Sequence, residues 1–225
     1  RVIPNGVDFE RFSAVPPVED KQALEIALIG RVVPIKDVKT YIRAAGILKQ
    51  RFPDLIAYVM GPTEEDPVYA KECLTLAKHL KLTDTVIFTG AVKLDDYLGR
   101  LDALALTSLS EAQPLVVLEA GAAGVPSVTT DVGCCRELLF GMAGENPALG
   151  AGGAVTPGAD PEATANALAG ILANPARRRA MGQAMQARVR QTYNKPDIMA
   201  IYGELYRRLA AAPGLPPLRM TAEAA

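Results

Sequence analysis

Short apolar runs separated by longer amphipathic stretches set the rhythm of this chain. Residues 25–29, 55–60, 85–89 and 102–107 are each five or six long and mostly apolar, and 126–130 reads as a further strand of small residues. Strands buried on both faces of a parallel sheet have this pattern, whereas half-exposed strands alternate. Between them, residues 37–51, 67–80 and 94–100, and a run from Pro114 to about Gly124, carry helical spacing. Residues 133–138 predict a helical turn, 141–153 a glycine-rich loop, and Ala154-Val155 a last short strand. Three helical stretches follow, at 161–173, 175–193 and 196–211, each opened by a proline that suits a first helical turn. Ahead of the first full strand, Val2-Ile3 reads as a strand end, Asn5-Gly6 as a turn and 13–21 as a linker or surface loop. The Pro-rich residues 212–225 are expected to form a disordered tail.

Strands alternating with helices, without paired hairpins, predict an α/β fold with a Rossmann-like, doubly wound parallel sheet. Such sheets bind ligands at the carboxyl ends of their strands. Every loop of chemical interest here follows a strand.

The stretch from Ser110 to Glu119 is the centre of interest. Glu111 falls in the loop after the 102–107 strand and Glu119 inside the following helix, eight positions on. Leu115, Glu119 and Ala122 share i, i+4, i+7 spacing, which would place Glu119 on the core-facing stripe. A carboxylate there needs a polar partner. The alternative is a helix rotated so that Glu119 sits at its edge in water, with Glu111 an ordinary loop acid. The amides of Leu115 and Val116, at a helix start after a strand, form an anion site by geometry.

The 225 residues are 49% hydrophobic with a formal net charge of −1. That suffices for one large domain or two small ones and gives no electrostatic reason to expect nucleic acid as partner. Three cysteines, two of them adjacent (Cys134, Cys135), make no disulfide framework and favour a reducing, cytoplasmic compartment. No apolar run approaches the roughly 18 residues that span a bilayer. The chain starts without Met inside an apparent strand end, which points to a fragment of something longer.

Arg31 and Lys36 flank the loop after the first full strand, where two cations would suit a diphosphate; ordinary surface charge is the competing explanation. Neither GxGxxG nor GxxxxGK[ST] occurs. The single histidine, His79, has no cysteine at metal spacing, so no metal site is expected, and no GxSxG elbow is present. Arg177, Arg178, Arg179, Arg188 and Arg190 read as the solvated face of a helix.

Taken in order, Pro4-Asn5-Gly6-Val7-Asp8, Gly30-Arg31…Lys36, Val59-Met60-Gly61-Pro62, Phe88-Thr89-Gly90 and Ser110-Glu111-x7-Glu119…Gly124-Val125-Pro126 resemble the retaining family-four glycosyltransferases, over residues 2 to about 209. The segments Pro34-Ile35-Lys36-Asp37, Leu106-Thr107-Ser108 and Thr129-Thr130-Asp131-Val132-Gly133 are most similar to the branch that makes Pel exopolysaccharide. The resemblance implies a GT-B enzyme of which residues 1–211 form the C-terminal donor domain, the N-terminal acceptor domain being absent. It implies a bacterial, metal-independent enzyme with a UDP-sugar donor, UDP-glucose above all, a polysaccharide acceptor and a membrane synthase complex as further partner. By the same resemblance Arg31 and Lys36 bind the diphosphate, Glu111 contacts the transferred sugar and Glu119 the ribose. Leu115 and Val116 amides complete the phosphate site, and loops after Gly61 and Gly90 hold the base. Asp37 and Ala112 stand where many relatives have Gly; Asp37 is expected to cap the next helix. Donors such as UDP-GlcNAc or GDP-mannose, and a non-catalytic nucleotide-sugar-binding regulator, are the alternatives.

Overall fold

The computed structural model describes residues 2–19 and 21–211. The expected disordered tail, 212–225, lies outside the described residues. Six parallel strands form one sheet: β1 (Glu25–Ile29), β2 (Ile56–Met60), β3 (Val86–Gly90), β4 (Ala103–Leu106), β5 (Ser127–Thr130) and β6 (Gly153–Thr156). Their order is β3-β2-β1-β4-β5-β6. The chain winds outward from β1 to β3, then returns to lay β4 on the other side of β1. The topological switch point therefore lies between β1 and β4.

Side chains alternate across the sheet, so each strand feeds two cores. Ile26, Leu28, Val59 and Ala105 face a core closed by α2 (Val38–Lys49), α3 (Pro67–His79) and α7 (Pro161–Leu172). Ala27, Tyr58, Met60, Leu104 and Leu106 face the other. That core is closed by α1 (Phe9–Ser13), α4 (Asp95–Leu98), α5 (Leu115–Ala122), α6 (Cys135–Phe140) and α8 (Pro175–Thr192). A last helix, α9 (Lys195–Ala210), buries only Ile198. Asp66, Asp160 and Asn174 cap α3, α7 and α8, each accepting an amide three residues on. Asp37 caps α2 as expected, accepting from the Thr40 amide.

Two local expectations give way, and one helix is unanticipated. The strand end at Val2-Ile3 does not form; Val7 instead makes an isolated parallel bridge to Asn194. Residues 9–13 form α1, capped by Asp8, with Phe9 and Phe12 buried. Pro114 precedes α5 in extended geometry instead of opening it.

Buried charge is concentrated at the amino edge of the sheet. Asp102 accepts from the Glu25 amide (2.7 Å), from Lys21 Nζ (2.5 Å) and from Arg178 (3.2 Å). Glu25 accepts a fork from Arg100 at 2.5 and 2.9 Å. Burial, then Glu25, pushes the neighbouring Tyr58 hydroxyl up to about 12. Among the described residues no helix is long and apolar enough to cross a membrane.

Candidate functional site

At the carboxyl edge, β1, β2 and β3 end side by side in Gly30, Gly61 and Gly90. The Gly30 amide donates to Met60 O (2.8 Å) and the Gly61 amide to Gly90 O (2.9 Å). Gly61 has φ of 155°, and a Cβ on it would lie 2.0 Å from the Gly30 carbonyl oxygen. Only glycine lets these two turns touch. The result is a bare backbone shelf beside the switch point.

Across the switch point, Lys36 Nζ donates to Glu111 Oε1 at 2.5 Å. Lys36 sits at the end of a 3-10 turn, residues Pro34–Lys36, and its stem lies over Gly30. The pair is largely shielded, with side chains 18% and 14% exposed, and so is screened less than a surface pair. Ser108 Oγ donates to the same Glu111 oxygen (2.7 Å). Thr130 Oγ1 donates to Ser108 O (2.6 Å), and Thr107 Oγ1 donates to the carbonyls of Lys36 and Asp37 (2.9 and 3.0 Å). The Leu109 amide donates to Ile35 O (2.8 Å). Hydroxyls from the ends of β4 and β5 thus fix both the acid and the cation. Beneath the acid, Gly133 is in the left-handed region at φ 51°; a Cβ there would lie 2.4 Å from Glu111 O. Gln113 Nε2 donates to Asn5 O (3.3 Å) and its Oε1 accepts the Asn5 amide (2.7 Å), joining the first residues to this loop.

The other named residues fall as follows. Arg31 leaves the Lys36–Glu111 pair and forms an exposed pair with Glu65 at 2.5 Å, which raises its pKa. Leu115 and Val116 open α5, which has no side-chain cap. The predicted stripe is not the buried face of α5: Leu115 is 44% exposed, and Val117, Leu118, Ala120 and Gly121 join Ala122 in the interior. Glu119 lies at the border, half-buried, its carboxylate without a hydrogen-bond or ion-pair partner among the described residues. Burial pushes its carboxyl up; Arg11 pulls it down and Asp95 pushes it up, both acting through charge alone. Among the described residues no cluster of three or more His, Cys, Asp or Glu could hold a metal ion.

Ser108, Thr107 and Thr130 were not singled out for the site from sequence. Their signal was there: small hydroxyl residues stand where an apolar strand stops, at the carboxyl edge. Gln113 carried no such signal.

A model of the family described as "Glycosyl transferases group 1" matches residues 9–188. D-inositol 3-phosphate glycosyltransferase of Kribbella flavida is 31% identical over 200 residues, covering 81% of this chain and 45% of the relative. The chain thus spans about half the length of the curated relatives it matches. Sucrose-phosphate synthase from Thermosynechococcus elongatus superposes with a TM-score of 0.79 at 25% identity, over 93% of this chain and 52% of that one. Anabaena HepE in complex with UDP shares the fold, with a TM-score of 0.77 at 21% identity over 92% and 57% of the two chains.

Proposed function

The chain belongs to the glycosyl transferases group 1 family, and on that premise we propose that it is the donor-binding part of a retaining hexosyltransferase. In this reading it binds a UDP-sugar, with UDP-glucose the first choice, and hands the sugar to a growing exopolysaccharide such as Pel, as PelF-type enzymes do. Residues 1–211 constitute the donor domain, and an acceptor-binding domain completes the enzyme. A UDP complex of the like-folded HepE is consistent with the choice of nucleotide.

One observation carries the reading. A shielded lysine and a glutamate meet at the switch point, four residues before an uncapped helix start. A diphosphate laid between Lys36 and the Leu115 and Val116 amides meets a cation and a positive helix end. Lys36 then exchanges its carboxylate partner for phosphate, and Glu111 stays on Ser108, facing the sugar. As the bond from the anomeric carbon to the diphosphate oxygen breaks, negative charge grows where the lysine and the amides already point. The acceptor hydroxyl attacks from the same face, and its proton passes to the departing phosphate oxygen. Glu119 takes the ribose hydroxyls, the loops after Gly61 and Gly90 take the base, and Arg31 swings from Glu65 to the diphosphate. These residues supply the leaving-group charge stabilisation without a metal.

Calorimetric titration of the chain with UDP, UDP-glucose, UDP-GlcNAc, GDP-mannose and ADP tests this. UDP-selective binding that Lys36→Ala weakens is expected. Preference for GDP-mannose would redirect the donor assignment, and binding of none, repeated on a full-length protein, would refute the donor site.

A further inference from the structure

On α1, the helix packed against the one that carries Glu119, the Arg11 guanidinium is already paired. Arg11, on α1, donates from Nε to Asp95 Oδ1 (3.0 Å) and Oδ2 (3.2 Å), and from its NH2 group to Oδ2 (2.6 Å). This fork joins α1 to the first residue of α4, just beyond the loop after Gly90. The Arg11 backbone is fixed independently, its amide donating to the Asp8 side chain at 3.1 Å. The guanidinium also lies over the Phe12 ring, 4.8 Å from its centroid. Glu119 is carried by α5, the helix against which α1 packs; the charges of Arg11 and Asp95 both act on its carboxyl, and it pairs with neither.

An arginine without a partner can fork onto a neighbouring partly desolvated carboxylate, because charge-assisted bidentate hydrogen bonds are stronger than neutral ones. Here a second carboxylate intercepts the arginine. We propose that Asp95 is a positioning residue for ligand binding: by holding Arg11 in a fork, it keeps the Glu119 oxygens open to the hydroxyl donors of the nucleotide. This rests on the reading of the carboxyl edge as a nucleotide-sugar site. A carboxylate accepts through about four lone-pair directions, and a bidentate arginine would occupy those that vicinal hydroxyls need. Asp95 touches no ligand in this scheme. It acts only through Arg11.

The test compares Asp95→Asn with the double variant Asp95→Asn/Arg11→Gln in UDP titrations. The single variant is expected to bind UDP about tenfold more weakly than the parent chain, as Arg11 moves onto Glu119. The double variant, lacking the competing cation, is expected to return to within about threefold of the parent. A purely structural role for Asp95 predicts no rescue, so a double variant as weak as the single one overturns the proposal, as does a single variant of unchanged affinity. A crystal structure of the Asp95→Asn chain gives a readout that needs no ligand. It should show Arg11 within about 4 Å of a Glu119 oxygen, and an arginine that stays away from Glu119 overturns the proposal even if the parent chain binds no UDP. Failure of the parent chain, and of a full-length protein, to bind UDP would instead count against the donor-site reading itself.

Discussion

Lys36 and Glu111 stand 75 residues apart in the chain and 2.5 Å apart in space, one on each side of the switch point. Each is the other's only charged partner among the described residues. A phosphate that replaces the carboxylate on the lysine separates them.

That exchange makes the two residues separable by mutation. Lys36→Ala should weaken UDP binding by about 10- to 100-fold, the range for a lost hydrogen bond to a charged group. Glu111→Gln should leave UDP affinity within a few-fold of the parent, because it releases the lysine. It should abolish sugar transfer by a full-length enzyme. Calorimetry and a transfer assay on the same two variants check both statements.

The shelf at Gly61 has no room for a side chain. Gly61→Ala drives a Cβ to 2.0 Å from the Gly30 oxygen at a φ of 155°. The turns after β1 and β2 must part, at a cost of about 1–3 kcal/mol. Thermal unfolding should show the midpoint falling by about 3–10 °C. If the two turns do cradle the nucleotide, UDP affinity should fall with it.

Glu119 should trade stability for binding. Burial holds its carboxyl above the usual range, so the folded chain binds its proton more tightly than the unfolded one. The sign follows: this group favours folding below its unfolded pKa, and that contribution is lost as pH rises through the folded pKa. At neutral pH, Glu119→Gln should therefore slightly raise the unfolding midpoint of the ligand-free chain while weakening UDP binding. A midpoint that falls at pH 7 and stays level at pH 4 would contradict this.

Glu145 has the opposite sign. Its hydrogen bonds from the buried Arg188, at 2.6 and 2.9 Å, hold its carboxyl below the usual range. The stability it contributes is present above the ordinary glutamate pKa, about 4.3, and is lost as pH falls through the lower folded value. Glu145→Gln should cost about 1–3 kcal/mol in urea unfolding at pH 7. The gap should close at the acid end, once the parent carboxyl is protonated.

The amino edge predicts a loss of stability with no direct effect on ligand. Asp102→Ala strands the Glu25 amide and leaves Lys21 and Arg178 without their acid. A loss of about 2–4 kcal/mol is expected in denaturant unfolding. UDP affinity of the fraction that remains folded should be unchanged.

The sheet was legible because its strands are apolar on both faces, and a run such as Ile26-Ala27-Leu28 announces itself. The first helix was not. Its five residues bear only Phe9 and Phe12 as apolar markers, too few to show a period, and only the Asp8 cap gave a local sign. On α5 the period misled. In eight residues that are almost all apolar, spacing cannot choose a face, and it took packing against the sheet to turn Leu115 outward and leave Glu119 at the border. Glu111 and Lys36 were legible as candidates, each from its place after a strand, but their meeting was not. It depends on β4 returning beside β1 and on hydroxyls from Thr107, Ser108 and Thr130. Arg31 shows the limit of reading charge from sequence, since a long exposed side chain takes the nearest acid, here Glu65.

The two edges of the sheet answer to different demands. Asp102 and Glu25 tie the amino edge together, while the candidate chemistry stands on turns and loops at the carboxyl edge. Selection for a new donor can therefore rewrite the loops after Gly61 and Gly90 without touching the charges that bind the other end. Such a frame lends itself to inheritance with altered specificity. Loops exchanged from a relative of different nucleotide preference should change the ligand while the unfolding midpoint keeps the value set by the opposite edge.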